Sequence, residues 1–191
     1  MSVVAIVASS LPASAPASAT NFVGQSGAWG SCHLLNMADN KSHTWVNIDL
    51  EPYYANAIAW VRTNVIGPTV ITNTTDTTPD SLTDVVVRDR YYVDHCGFEW
   101  YPKGENTIGL VECDSLSPSG RCEQHSLRLS NVWGDDQSTQ NRTALACHEA
   151  GHTLGLAHRN VAGSCMQTPL VTTLNFSTHD IDHITANYSH L

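Results

Sequence analysis

The stretch CHEAGHTLGLAHR, residues 147–159, decides how this chain is read. It sets three histidines, one glutamate and two glycines among small and apolar residues. A helix from about Asn141 or Arg142 to Leu154 puts His148 and His152 four residues apart, on one face and one turn from each other. Two imidazoles so placed can meet one metal ion. Glu149 is next around the helix, close enough to take a proton without being a ligand. Gly155 permits the positive φ at which helices end, so the chain can turn and return His158 as a third nitrogen donor. Three protein ligands leave a fourth position open, as in catalytic rather than structural zinc sites. The expected ligands are therefore His148, His152 and His158, with Glu149 as general base and Zn2+ as the ion.

The rest of the chain narrows the setting. Its 191 residues, 41% of them hydrophobic, suit a single domain with a sizeable core. Nine Lys and Arg against eighteen Asp and Glu give a formal net charge of −9. That balance argues against nucleic acid and against an anionic membrane surface. No later stretch is apolar for long enough to span a bilayer. The acidity could also serve Ca2+, with Asp135-Asp136 and the run Asp76, Asp80, Asp84 as candidates, but none has the spacing of a known calcium loop.

Residues 1–20, MSVVAIVASSLPASAPASAT, read as an export-signal remnant or a flexible tail. Val3–Ala8 is a short apolar run, and Ala17-Ser18-Ala19 has the small-x-small form that signal peptidases cut. Residues 21–191 are expected to form one catalytic domain. Six cysteines (Cys32, Cys96, Cys113, Cys122, Cys147, Cys165) fit three disulfides in an exported chain, with fifteen conceivable pairings. No C-x-x-C pair favours a zinc ribbon or a thioredoxin-like motif. The expected localisation is secreted.

Upstream, Leu50, Tyr54, Ile58, Val61 and Val65 recur at helical spacing, with Asp49 as cap and Gly67-Pro68 as stop. TVITNTT reads as a short strand and residues 82–93 as one longer strand. NTIGLVEC and HSLRLSNVW are further strands, joined by the Pro/Gly turn DSLSPSGR. Residues 20–48, 94–105 and 134–140 show no clear period. Ser177 and Asp180 make a capping-box start for a last helix lined by Ile181, Ile184 and Tyr188. Helix, strands, helix, loop and helix in that order make an α+β domain.

HEAGHTLGLAH, residues 148–158, resembles the H-E-x-x-H-x-x-G-x-x-H signature of the metzincin zinc endopeptidases, and SCMQTP resembles their methionine turn. Met166 follows His158 by eight residues, a separation similar to that of matrixin-like members. The resemblance implies a twisted mixed sheet over an N-terminal helix and the metal helix, with Met166 as a hydrophobic floor under the metal. It implies an edge strand that binds extended polypeptide by β-augmentation. Asn106, Thr107, Ile108, Gly109, Leu110 and Val111 are the expected edge, an interior strand being the alternative. If the methionine turn lies under the metal, Cys147 and Cys165, neighbours of His148 and Met166, come close and are expected to bond. Cys113–Cys122 would then close the strand turn and leave Cys32–Cys96. A buried free thiol at Cys147 is the alternative. Gln167, Thr168 and Pro169 depart from the family's usual residues after the methionine, so no tyrosine ligand is expected from this turn.

The function this implies is that of a secreted, monomeric zinc-dependent endopeptidase acting through water and a glutamate base. Its rival is a non-catalytic secreted metal-binding protein on the same fold. A serine hydrolase is disfavoured because no G-x-S-x-G occurs. A Cys147–His148 pair is disfavoured because adjacent helical side chains diverge by about 100°.

Overall fold

The computed structural model describes residues 22, 36–93, 97, 99–100 and 107–191. The tail 1–20, Cys32, Cys96 and Asn106 lie outside the described residues. Five strands form one sheet in the order β2-β1-β3-β7-β6: β1 (Ser42–Ile48), β2 (Thr72–Thr75), β3 (Val85–Arg88), β6 (Gly109–Leu116) and β7 (Cys122–Leu129). A two-stranded ribbon pairs β4 (Tyr92–Val93) with β5 (Glu99–Trp100). β2, β1, β3 and β7 run parallel, and only β6 at the edge is antiparallel.

The strands form because their side chains are apolar where they must be. Val85, Val86 and Val87 are all buried, as suits β-branched residues covered on both faces of a parallel sheet. Trp45, Val85, Val87, Leu127 and Leu129 meet Tyr54, Ile58, Val61, Leu145 and Ala150 in one core. The helical residues come from α1 (Pro52–Val61) and α3 (Thr139–Thr153), which pack on each other. A short α2 (Asn131–Asp135) precedes α3, and α4 (Thr178–Tyr188) closes the domain.

Several boundaries differ from the sequence expectation. Asp49 does not cap α1: it sits at φ +49, and the helix begins at Pro52, where a missing N–H costs nothing. Past Val61 the helix widens into a π-helical turn, Arg62–Ile66. Residues 82–93 are not one strand. β3 stops at Arg88 because the Asp89 carboxylate accepts from Glu51 N–H at 2.7 Å and turns the chain away. α3 starts earlier than expected, with the Ser138 hydroxyl accepting from Asn141 N–H at 3.1 Å. β1 falls in a stretch without clear period, and the expected strand HSLRLSNVW ends at Leu129, with Asn131–Trp133 opening α2 instead, where the Ser130 hydroxyl accepts from Trp133 N–H. The capping box of Ser177 and Asp180 on α4 is present.

Candidate metal centre

α3 carries three of the expected site residues on its buried face, His148, Glu149 and His152, of which only 7%, 4% and 7% is exposed. The helix stops at Gly155, whose φ is +83 and where a Cβ would lie 2.8 Å from that of Met37. Both the torsion and the space demand glycine there. The chain then swings His158 back over the helix. Its Nε2 comes to 3.0 Å from Nε2 of His148 and 3.1 Å from Nε2 of His152.

The other ring nitrogens explain this convergence. Nδ1 of His148 lies 2.8 Å from the Cys165 carbonyl, and Nδ1 of His152 lies 2.7 Å from the Leu156 carbonyl. A carbonyl only accepts, so both Nδ1 atoms carry the proton and donate it. Each Nε2 is then a bare lone pair aimed at its neighbours. Lone pairs gathered at one point repel unless a cation lies between them, and carbonyl-fixed tautomers are the usual second shell of metal-bound histidine. Burial pulls His148 down to about 4 and His152 to about 3, the second helped by the neighbouring imidazoles. Burial lowers His158 too. All three are neutral at pH 7, the form that binds metal. This donor set fits zinc.

Glu149 follows His148 on α3, and its side chain makes no hydrogen bond among the described residues. Burial alone pushes its carboxyl up to about 8. A divalent cation next to it reverses that preference and favours the carboxylate.

Beneath the histidines the chain is pinned from several sides. The Met166 carbonyl accepts from Arg159 N–H at 2.9 Å, tying the residue after His158 to the turn. The Ser164 hydroxyl accepts from Met166 N–H at 3.0 Å and donates to Asp180 at 2.6 Å. Met166 is fully buried against α3, and a Cβ at Gly151 would lie 2.2 Å from its sulfur. Cys147 and Cys165 are disulfide-bonded with Cα atoms 6.0 Å apart. Cys113 and Cys122 bridge β6 and β7 with Cα atoms 5.6 Å apart.

Of the expected edge, Gly109, Leu110 and Val111 begin β6, the outer strand of the sheet, while Thr107 and Ile108 precede it. Gly109 is the point where this strand passes Glu149. Four of the five candidate calcium carboxylates accept hydrogen bonds from neighbouring groups. Asp76 accepts from Thr77 N–H, Asp80 from Leu82 N–H, and Asp84 from Thr44 N–H. Asp135 accepts from the Tyr53 hydroxyl.

Sequence reasoning missed the two carbonyls, Gly151 and the Ser164–Asp180 tie. Gly151, inside the histidine motif, carried a usable signal: glycine within a helix costs about 1 kcal/mol and calls for a packing reason.

Three imidazoles sharing one focus form a cluster that could hold one metal ion, with Glu149 on the same helix and Met166 packed against Gly151. The sequence profile of the matrixin peptidases matches residues 59–189, well over half of the chain, and the protein belongs to that family. It is a zinc metalloendopeptidase of mixed α+β fold. No curated protein matches the chain significantly.

Proposed function

We propose that this chain is a secreted, monomeric endopeptidase that cleaves extended polypeptide laid along the outer edge of β6. His148, His152 and His158 would hold the zinc, and Met166 would form the floor beneath it. Bound there, zinc supplies Lewis acidity for a scissile carbonyl and for water. Glu149 takes the proton of the attacking water and delivers it to the leaving amine nitrogen. The Cys165 and Leu156 carbonyls keep the imidazoles turned inward throughout. β6 offers backbone donors and acceptors on the side away from β7, and a peptide can add there as a further strand. The disulfides 113–122 and 147–165 support an oxidising compartment. Among the described residues no helix is long and apolar enough to cross a membrane. Calcium has no part in this reading.

The convergence of three Nε2 atoms, with the Nδ1 atoms of His148 and His152 committed to carbonyls, carries the proposal. A purely structural site has no need of Glu149 beside it. The test is cleavage of casein. A zinc chelator is expected to abolish it and added zinc to restore it, while Glu149→Gln retains zinc and loses at least a hundredfold in kcat. Cleavage that survives both treatments would overturn the reading.

A further inference from the structure

The first residue of β6 lies against the carboxylate with no room to spare. A Cβ built on Gly109 would stand 2.3 Å from Oε1 of Glu149, 2.6 Å from its Cδ and 2.8 Å from its Cγ. Non-bonded carbon and oxygen do not approach so closely, and three atoms are involved, so rotating the carboxylate tip alone does not relieve the overlap. Glu149 cannot retreat into the helix behind it, because it is buried on α3 between His148 and Ala150, both buried as well. The backbone does not explain the glycine. Gly109 is paired in the ladder opposite Leu129, and its φ is not among the positive values. A strand interior normally disfavours glycine, which marks bulges and close approaches.

We infer that Gly109 is a positioning residue: its missing side chain is the space that the Glu149 carboxylate occupies beside the reacting bond. This rests on the reading of Glu149 as the base. It also bears on the register of the substrate, since Gly109 is a point at which β6 comes against the base. The scissile bond of a peptide paired to that edge lies alongside this residue, and the absence of a side chain lets the peptide backbone come near.

The experiment is a four-member cycle of wild type, Gly109→Ala, Glu149→Ala and the double variant, all zinc-loaded, with zinc content and thermal midpoint measured on each. Gly109→Ala alone is expected to lower kcat at least tenfold, since a shift of about 1 Å in a catalytic group costs up to a hundredfold. Its KM changes less than threefold and its zinc content not at all. It also lowers the thermal midpoint. In the Glu149→Ala background the same change leaves the midpoint unmoved or raises it, because the overlapping atoms are gone and alanine restricts the unfolded chain. A glycine kept only for the strand would cost the same in both backgrounds, and that result, or an unchanged kcat in Gly109→Ala, overturns the inference. Neither outcome touches the peptidase reading, which stands or falls with the chelator and Glu149→Gln tests of casein cleavage.

Discussion

Two groups of histidines in this molecule share a lowered pKa and almost nothing else, His158 alone of the five being exposed. His148, His152 and His158 aim their Nε2 atoms at one point, with two Nδ1 atoms held by carbonyls. His43 and His125 lie on β1 and β7 and are fully buried. Burial pulls them to about 3 and about 4 respectively, with their mutual repulsion adding to the effect at His43. Both ring nitrogens of His43 and Nδ1 of His125 lack a hydrogen-bond partner among the described residues. Nε2 of His125 meets the Asn36 carbonyl at 2.8 Å, and the ring of His43 stands edge-on to Tyr188. A depressed imidazole pKa therefore reports burial, and convergent, carbonyl-fixed lone pairs report chemistry.

The widest separation between the groups is expected from His152→Ala. Loss of one of the three proposed ligands should remove zinc at micromolar concentration and take turnover below detection, whereas His125→Phe leaves the zinc content of the folded protein intact. Metal analysis beside casein cleavage reads both. Full zinc in His152→Ala would erase the distinction.

The next effect sharpens the role of the carbonyls. Replacing Cys147 and Cys165 together by alanine opens a crosslink between residues 18 apart in sequence, worth about 3 kcal/mol of stability in the chain-entropy account. It also frees the Cys165 carbonyl that orients His148, so zinc affinity should fall about tenfold in a competition titration. Opening Cys113–Cys122 should destabilise the fold and leave zinc affinity unchanged. Equal zinc affinities in the two variants would remove the carbonyl from the explanation.

The buried pair predicts an acid limb in stability. Its folded pKa values lie below the 6.5 of an unfolded histidine, so the unfolded chain binds more protons between pH 6.5 and about 4. Stability is whole above pH 6.5 and falls as pH drops through that window, by about 1.4 kcal/mol per unit for each histidine. Asp84 and Asp89, pushed up to about 6 by burial, act with the opposite sign. Urea unfolding of His43→Phe at pH 7 and pH 5 should show a shallower loss than wild type. An unchanged slope would mean that His43 does not stay neutral in the fold.

The smallest effect expected is that of Ser164→Ala, about 1–2 kcal/mol for a buried hydrogen-bonded hydroxyl. Thermal unfolding of the zinc-loaded protein measures it.

What could be read from the sequence divides along a physical line. The convergence of His148, His152 and His158 and the stop at Gly155 were legible because they lie in residue type and local spacing, which a helix converts directly into geometry. α4 was legible because Ser177 and Asp180 satisfy each other's backbone within one turn. β1 was not legible, since only His43, Trp45 and Val46 of its residues are buried, and Ser42, His43, Thr44 and Asn47 dilute its apolar run. The break after Arg88 was hidden because its cause, Asp89 capping Glu51, joins residues far apart in the chain. The orienting groups of the histidines are backbone carbonyls, which no side chain announces. The overlap of Gly109 with Glu149 depends on how the edge strand crosses the helix, and only the assembled sheet decides that.

The hydroxyl bridge between the methionine turn and α4 has a consequence for the enzyme's lifetime. Asp180 binds both Ser164 and the hydroxyl and amide of Ser177, and Tyr188 donates to the Leu154 carbonyl at the end of the metal helix. A single nick between Ser177 and Asp180 would put both anchors, Asp180 and Tyr188, on the released piece and untie the methionine turn and the end of α3 together.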